Sequence, residues 1–316
     1  MDIIYLDQNE RIELARVQAG ALTSGPILDL YRELAAAVQS EKVLFPLSAT
    51  HVMETSKQNN HVKRTHLAET QAKLSRGFAY RSRAGRLEVE VRATLLSLFD
   101  LKPTALSQYW AIAPSFLEAF EAMDSLIAPA SAVSSLKRIY AHMDTASLYV
   151  DHMKSQDDAA RRAAHVKLAG DTSELVSRSE ARRSRLVGSS VDMRQRAYAV
   201  ELFMEHQRQF LRISNSLGFS FEQLEALGAK AIHALLDGVP TLDVEMRMVA
   251  RLESQTGVIR PNDVFDMQAA HTAIPYSTWV VAEKAWISRA RQAKLHDRYP
   301  VKLSTSLTDL LHAHPQ

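Results

Sequence analysis

Hydrophobic positions along this chain fall into two textures. Four short apolar runs, rich in β-branched and aromatic residues, stand near the two ends: Ile3-Ile4-Tyr5-Leu6, Val43-Leu44-Phe45 running on into Pro46-Leu47-Ser48, Thr278-Trp279-Val280-Val281-Ala282, and the shorter Val301-Lys302-Leu303. Helical pattern separates these runs, which predicts parallel strands in βαβ units. From about residue 62 to 255 the text is rich in Ala, Leu, Arg, Glu and Gln at 3.6-type spacing, and no proline occurs between Pro129 and Pro240. That stretch predicts helices. Pro114 suits a first helical turn, and Asp171-Thr-Ser-Glu174 and Ser220-Phe-Glu-Gln223 have the form of capping boxes at helix starts.

The predicted fold class is therefore α/β: a Rossmann-like parallel sheet formed by both ends of the chain, with a large all-α insertion. Residues 1–60 and 241–316 make one discontinuous domain and residues 61–240 the insertion, the outer pieces together having the size of an ordinary single domain.

Composition narrows the chemistry. The chain has 316 residues and no cysteine, so a disulfide framework, a thiolate zinc site, a cysteine nucleophile and an iron–sulfur cluster are excluded. A metal would have to use His, carboxylate or water. The opening MDIIYLDQNERIEL has no basic stretch followed by a long apolar one, and no apolar run approaches the roughly 18 residues that cross a bilayer. The expectation is a cytoplasmic protein with no membrane association.

The net charge of +2 conceals an uneven distribution. Residues 1–60 carry five basic and eight acidic side chains, residues 61–240 carry 24 and 20, and residues 241–316 carry nine and eight. Positive excess gathers in the middle, acid at the start.

Several of the acids are predicted to meet. Asp7 follows the first strand, at the carboxyl edge where open α/β sheets bind ligands. Glu54 lies six residues past Ser48, in the first turns of the next helix. Asn262-Asp263-Val-Phe-Asp266 opens a helix that feeds the strand ending at Glu283. A helix of about 12 residues descends roughly 18 Å and a strand of about five climbs back roughly 17 Å, so Asp266 and Glu283 return to one level. Like charges gathered this way repel unless a cation sits among them, and hard ions with oxygen ligands, Mg²⁺ or Mn²⁺, suit carboxylates. The set Asp7, Glu54, Asp263, Asp266 and Glu283 is the predicted metal site, with all but Asp263 given catalytic roles. Asn9, Ser48, His51 and Asn262 are expected beside these ligands, and Lys284 near a substrate phosphate.

At these residues the chain resembles the PIN-domain nuclease superfamily. Ile-Ile-Tyr-Leu-Asp7-Gln-Asn9 is similar to its first strand and acid, Leu47-Ser48-Ala-Thr-His51-Val-Met-Glu54 to its serine with an acid six residues on, and Asn262 to Lys284 to its last helix, strand and closing acid. Gln8 stands where a small hydroxyl residue is frequent, and Ala282-Glu283 replaces the commoner Thr or Ser followed by Asp. The resemblance covers the two ends only. It implies a divalent-metal-dependent endonuclease, an endoribonuclease acting on RNA rather than DNA, in the setting of a toxin, a phage-defence effector or an RNA-processing factor.

Other constellations in the chain bear on function. Gly20-Ala-Leu-Thr-Ser-Gly25 continues with Pro26 and Ile27 where a phosphate loop needs Lys and Ser or Thr, and no Gly-x-Gly-x-x-Gly occurs. Arg138 with His142 and Arg161 with His165 have the residue types of a metal-free ribonuclease, at a spacing short for that class. Arg76-Gly-Phe78-Ala-Tyr80-Arg81-Ser-Arg83-Ala-Gly-Arg86 interleaves cations with aromatics, the pattern of a surface that stacks bases and binds phosphates. Arg182, Arg183 and Arg185 form a second cluster. These eight side chains, Arg76, Tyr80, Arg81, Arg83, Arg86, Arg182, Arg183 and Arg185, are the expected nucleic-acid contacts. From a different class, the alternative expectation is a non-catalytic PIN-like scaffold whose helical insert binds a protein partner or a second copy of the chain.

Overall fold

The computed structural model describes residues 1–120 and 143–311; Arg138 and His142 lie outside them. The fold is α/β, 67% helical around a small parallel sheet. β1 (Asp2–Leu6), β2 (Val43–Leu44), β5 (Trp279–Val281) and β6 (Lys302–Ser304) coincide with the four runs expected to be strands, and they pair in the order β2-β1-β5-β6. Register sets Ile3 beside Leu44 and Leu6 beside Val281, all neighbours being parallel. The two ends of the chain thus share the centre of one sheet.

Alternation along β1 explains why both faces are covered. Ile3 and Tyr5 belong to a core with the helices Pro240–Glu253, Pro261–Ala273 and Lys284–Gln292, while Ile4 and Leu6 face a second core with Gln8–Gln18 and Pro26–Gln39. A strand buried on both faces reads as a continuous apolar run, as Ile-Ile-Tyr-Leu does.

A further antiparallel pair, β3 (Ala79–Tyr80) with β4 (Ile112–Ala113), lies inside the stretch expected to be helical. Leu47, just past β2, joins it: its amide donates to the Phe78 carbonyl at 2.9 Å, and the Tyr80 amide to the Leu47 carbonyl at 2.7 Å. Strands of two residues leave no periodicity to read. The helix His61–Ser75 packs on Gln8–Gln18. Beyond it, Arg83–Leu98, Val191–Ser216, Ala229–Asp237 and Pro240–Glu253 enclose a third core that contains Val91, Phe210 and Leu242.

Of the expected helix starts, Ser220 does cap Phe221–Leu227 with a reciprocal Gln223 bond. Asp171 to Glu174 instead lie within Asp158–Arg185, where the Thr172 hydroxyl donates back to the Leu168 carbonyl at 2.7 Å and the helix continues. Pro114 precedes a short 3-10 turn, Phe116–Ala119, capped by Ser115. Among the described residues, no helix is long and apolar enough to cross a membrane.

Candidate metal centre

The site is built on two adjacent strand ends. β1 gives way at Asp7, whose amide still donates to the Val281 carbonyl at 2.9 Å. Asp7 is the N-cap of Gln8–Gln18 and Glu283 the N-cap of Lys284–Gln292, and neither carboxylate caps its own helix. Both are therefore available to the cleft, where the positive ends of two helix dipoles favour negative charge. Asn9 Nδ2 donates to Glu283 Oε1 at 2.5 Å and fixes one oxygen.

All five acids expected at the site, Asp7, Glu54, Asp263, Asp266 and Glu283, line one cleft of about 470 Å³, together with Asn9 and Asn262. They surround the space rather than meet at a point: among the described residues, no group of three His, Asp or Glu side chains stands close enough to hold an ion. Arg289 enters from the Glu283 side, pairing with Asp263 and, at 3.4 Å, with Asp266. The Trp286 indole donates to the Asp266 carbonyl at 2.6 Å, tying together the helices that carry these groups.

Electrostatics mark the cleft as short of cations. Burial, then the Asp7 charge, push Glu54 up to about 7. The same two causes push Asp266 up to about 7 against the opposing effect of Arg289. Asp7 itself is raised by burial and by Glu283, with the Gln8 amide and Arg11 working against the rise. Protons compensate such charges at low pH, and a divalent cation can do so at neutral pH. The donor set, carboxylates with a few amides, suits Mg²⁺ or Mn²⁺.

Residues behind the cleft fix its shape. His51 is fully buried; its Nδ1 accepts from the Ser48 amide at 3.1 Å, so Nε2 carries the proton and donates to the Leu6 carbonyl at 2.8 Å. It anchors the peptide before Asp7 and does not line the cleft. Burial holds it neutral, well below the usual histidine range. Ser48 caps Ala49–Lys57 and likewise stays outside the cleft, whereas Thr50 lines it. Lys284 is exposed and is not among the residues lining the cleft. Gln8, Thr55, Gln71 and Tyr149 form a buried hydrogen-bonded chain from the cleft wall to Thr145–Ser155.

Three functional candidates escaped sequence reasoning. Glu10, three residues past Asp7, is pushed up to about 7 by burial and then by Asp7, and its Oε2 is buried with no hydrogen-bond partner. Arg289 is the cation beside two of the acids. Arg11, fully buried, donates to the carbonyls of Leu6 at 3.2 Å and Pro46 at 2.9 Å, bracing the ends of β1 and β2. The i to i+3 spacing from Asp7 to Glu10 was a usable signal; nothing local distinguishes Arg289 from the arginines around it.

The arginine motifs have other work than the expected one. Tyr80 is buried and bonded to Ser277 at 2.7 Å. Arg81 is buried against Glu118 at 2.6 Å. Arg86 is 1% exposed, and Arg83 pairs with Glu245 at 2.6 Å. Arg182 is buried between Glu253 and Glu201. These side chains face inward because acids and carbonyls distant in sequence receive them, so Tyr80, Arg81, Arg86 and Arg182 do not form the exposed base-stacking surface that the motifs predict. Arg183 bonds the Gly257 carbonyl and so holds a loop that lines the acidic cleft. Only Arg76, paired with Glu41 at 2.8 Å, and Arg185, near Glu201 at 3.3 Å, are substantially exposed among the eight. Arg161 is also buried, bonding Ser56 and Asn59, and is not poised with His165 over a substrate.

No family model, curated protein or solved structure matches this chain.

Proposed function

We propose that the protein is a divalent-metal-dependent nuclease of PIN type, its helical segment an insertion into that core, with RNA as the substrate class that the motif resemblance implies. The observation that supports this reading most is the convergence of Asp7, Glu54, Asp266 and Glu283, from separate parts of the chain, on one cleft at the carboxyl edge of the sheet. Asp7, Glu54, Asp266 and Glu283, which line the cleft without forming a ready-made ligand group, would draw in to hold Mg²⁺ or Mn²⁺, with Asp263 in reserve beside Arg289. Such an ion, when bound, makes coordinated water acidic and stabilises charge on phosphoryl oxygens.

The chain's own groups have separable tasks. Asn9 orients Glu283, and His51 with Arg11 holds the strand end that presents Asp7. Arg289 limits repulsion between Asp263 and Asp266. The test is cleavage of RNA and DNA pools by purified protein in Mg²⁺ or Mn²⁺ against chelator. Metal-dependent cleavage of RNA, lowered by roughly a hundredfold or more in Asp7→Asn, is expected; cleavage that Asp7→Asn leaves intact contradicts the assignment.

One observation favours the second reading, a non-catalytic PIN-like scaffold. Arg289 already supplies Asp263 and Asp266 with a cation, as a protein without metal would require. In that case neither ion changes the thermal stability.

A further inference from the structure

A second cavity, of about 270 Å³, lies on the other side of the first turn of Ala49–Lys57; Thr50 lines both it and the acidic cleft. Its charge is opposite. Arg81, Arg83 and Arg86 line it, and among the described residues no Asp or Glu does. The first turns of Ala49–Lys57 and Arg83–Leu98 also open on it, and first-turn amides lack intrahelical acceptors.

Two of the three arginines have carboxylates, Glu118 for Arg81 and Glu245 for Arg83. Arg86 differs. It is 1% exposed, yet it donates only to neutral acceptors: the Arg81 carbonyl, Thr241 Oγ1 at 3.4 Å, His271 Nδ1 at 3.1 Å and Thr272 Oγ1 at 3.1 Å. Among the described residues no carboxylate lies within ion-pair distance of it. Glu90, the acid that most favours its charge, is engaged by Thr241 and Tyr276. Burial accordingly pulls Arg86 down to about 10, and burial of His271 pulls that ring down to about 3, leaving it a neutral acceptor. A guanidinium buried without a counter-charge is costly, and an anion in the cavity would remove that cost. Arg83 bonds Glu245 and His206 through Nε and Nη2, and its Nη1 makes no hydrogen bond to a described residue.

We propose that this cavity is an oxyanion subsite that receives a phosphate group, in the substrate a phosphate neighbouring the one cleaved at the acidic cleft. That phosphate belongs to a nucleic acid only on the nuclease reading; the phosphate site itself stands on the cavity. Thr50 and Glu54 are one helical turn apart, about 5–6 Å along the axis, so a strand held at one site reaches the other.

The test uses inorganic phosphate with metal-free protein in chelator, which silences the acidic cleft. Calorimetry is expected to show one phosphate per chain, weakened roughly tenfold or more by Arg83→Gln and unchanged by Asp7→Asn. Should Arg83→Gln fail to fold, amide NMR of the unaltered protein decides: phosphate should shift residues 49–51 and 82–86 before any others. Absence of binding, or binding that shifts the residues of the acidic cleft instead, overturns the proposal. Phosphate binding by a protein that cleaves nothing would uphold this site and reject the nuclease, and metal-dependent cleavage without phosphate binding would do the reverse.

Discussion

Asn9 Nδ2 donates to Glu283 Oε1 at 2.5 Å, joining positions 274 residues apart in sequence. The bond spans the ends of β1 and β5, the two central strands, and couples the orientation of one cleft acid to the placement of the other chain terminus. Asn9→Ala is expected to lower metal-dependent cleavage by roughly tenfold while changing stability by less than about 1 kcal/mol. Asn9→Asp sets a like charge beside Glu283 and should lower the Tm at neutral pH, with recovery in acid or on adding Mn²⁺. Equal losses of Tm at pH about 5 and about 8 would show that repulsion is not the cause.

The crowded acids make a signed pH prediction. Glu54 and Asp266 are both raised to about 7 in the folded protein, first by burial and then by the Asp7 charge. A carboxyl group raised by folding contributes stability that is present below its unfolded pKa and is lost as pH rises through the folded value. The metal-free protein should therefore lose several degrees of Tm between pH about 5 and about 8, and Mg²⁺ or Mn²⁺ should restore it most at the upper end. Differential scanning calorimetry with and without chelator measures both; a Tm that climbs across this range in chelator contradicts the electrostatic picture.

Asp266→Asn separates stability from function. Removing one of the mutually repelling charges is expected to raise the metal-free Tm at pH about 8 by a few degrees, on the order of 1 kcal/mol. The same change should abolish most of the stabilisation by metal and most of the cleavage. A variant both less stable without metal and equally stabilised by it would remove Asp266 from the site.

Arg289 pairs with Asp263 and Asp266, so on the proposed reading it would compete with a metal ion for them. Arg289→Gln should thus weaken the metal-free protein by about 1–3 kcal/mol, because it leaves a partly buried acid pair unpaired. It should also tighten Mn²⁺ binding, measured by titration calorimetry. Weaker Mn²⁺ binding in this variant would make Arg289 an organiser of the site instead of a competitor.

Much of the sheet was legible because β-branched runs such as Ile3-Ile4 and Val280-Val281 carry their strand preference locally, and the order of helices between them dictates parallel pairing. The cleft acids were legible for a related reason: Asp7 and Glu283 follow strand ends and Glu54, Asp263 and Asp266 lie in the first two turns of helices, so chain geometry fixes their level. The arginines were not. Whether Arg81 or Arg182 faces water depends on Glu118 and Glu253, 37 and 71 residues away, and a cation with aromatic neighbours has the same local text on a surface as in a core. Arg289 matters through its pairing with Asp263 and Asp266, which only the folded chain supplies. β3 and β4 fall below the length at which alternation can be seen.

A crystal soaked in Mn²⁺ and measured at the manganese absorption edge tests the metal assignment most directly, since it needs no substrate. An anomalous peak in the cleft within coordination distance of carboxylate oxygens of Asp7 and at least one of Glu54, Asp266 and Glu283, absent from Asp7→Asn crystals, is the result expected. A cleft that stays empty at saturating Mn²⁺, with Arg289 still seated on Asp263 and Asp266, would contradict it.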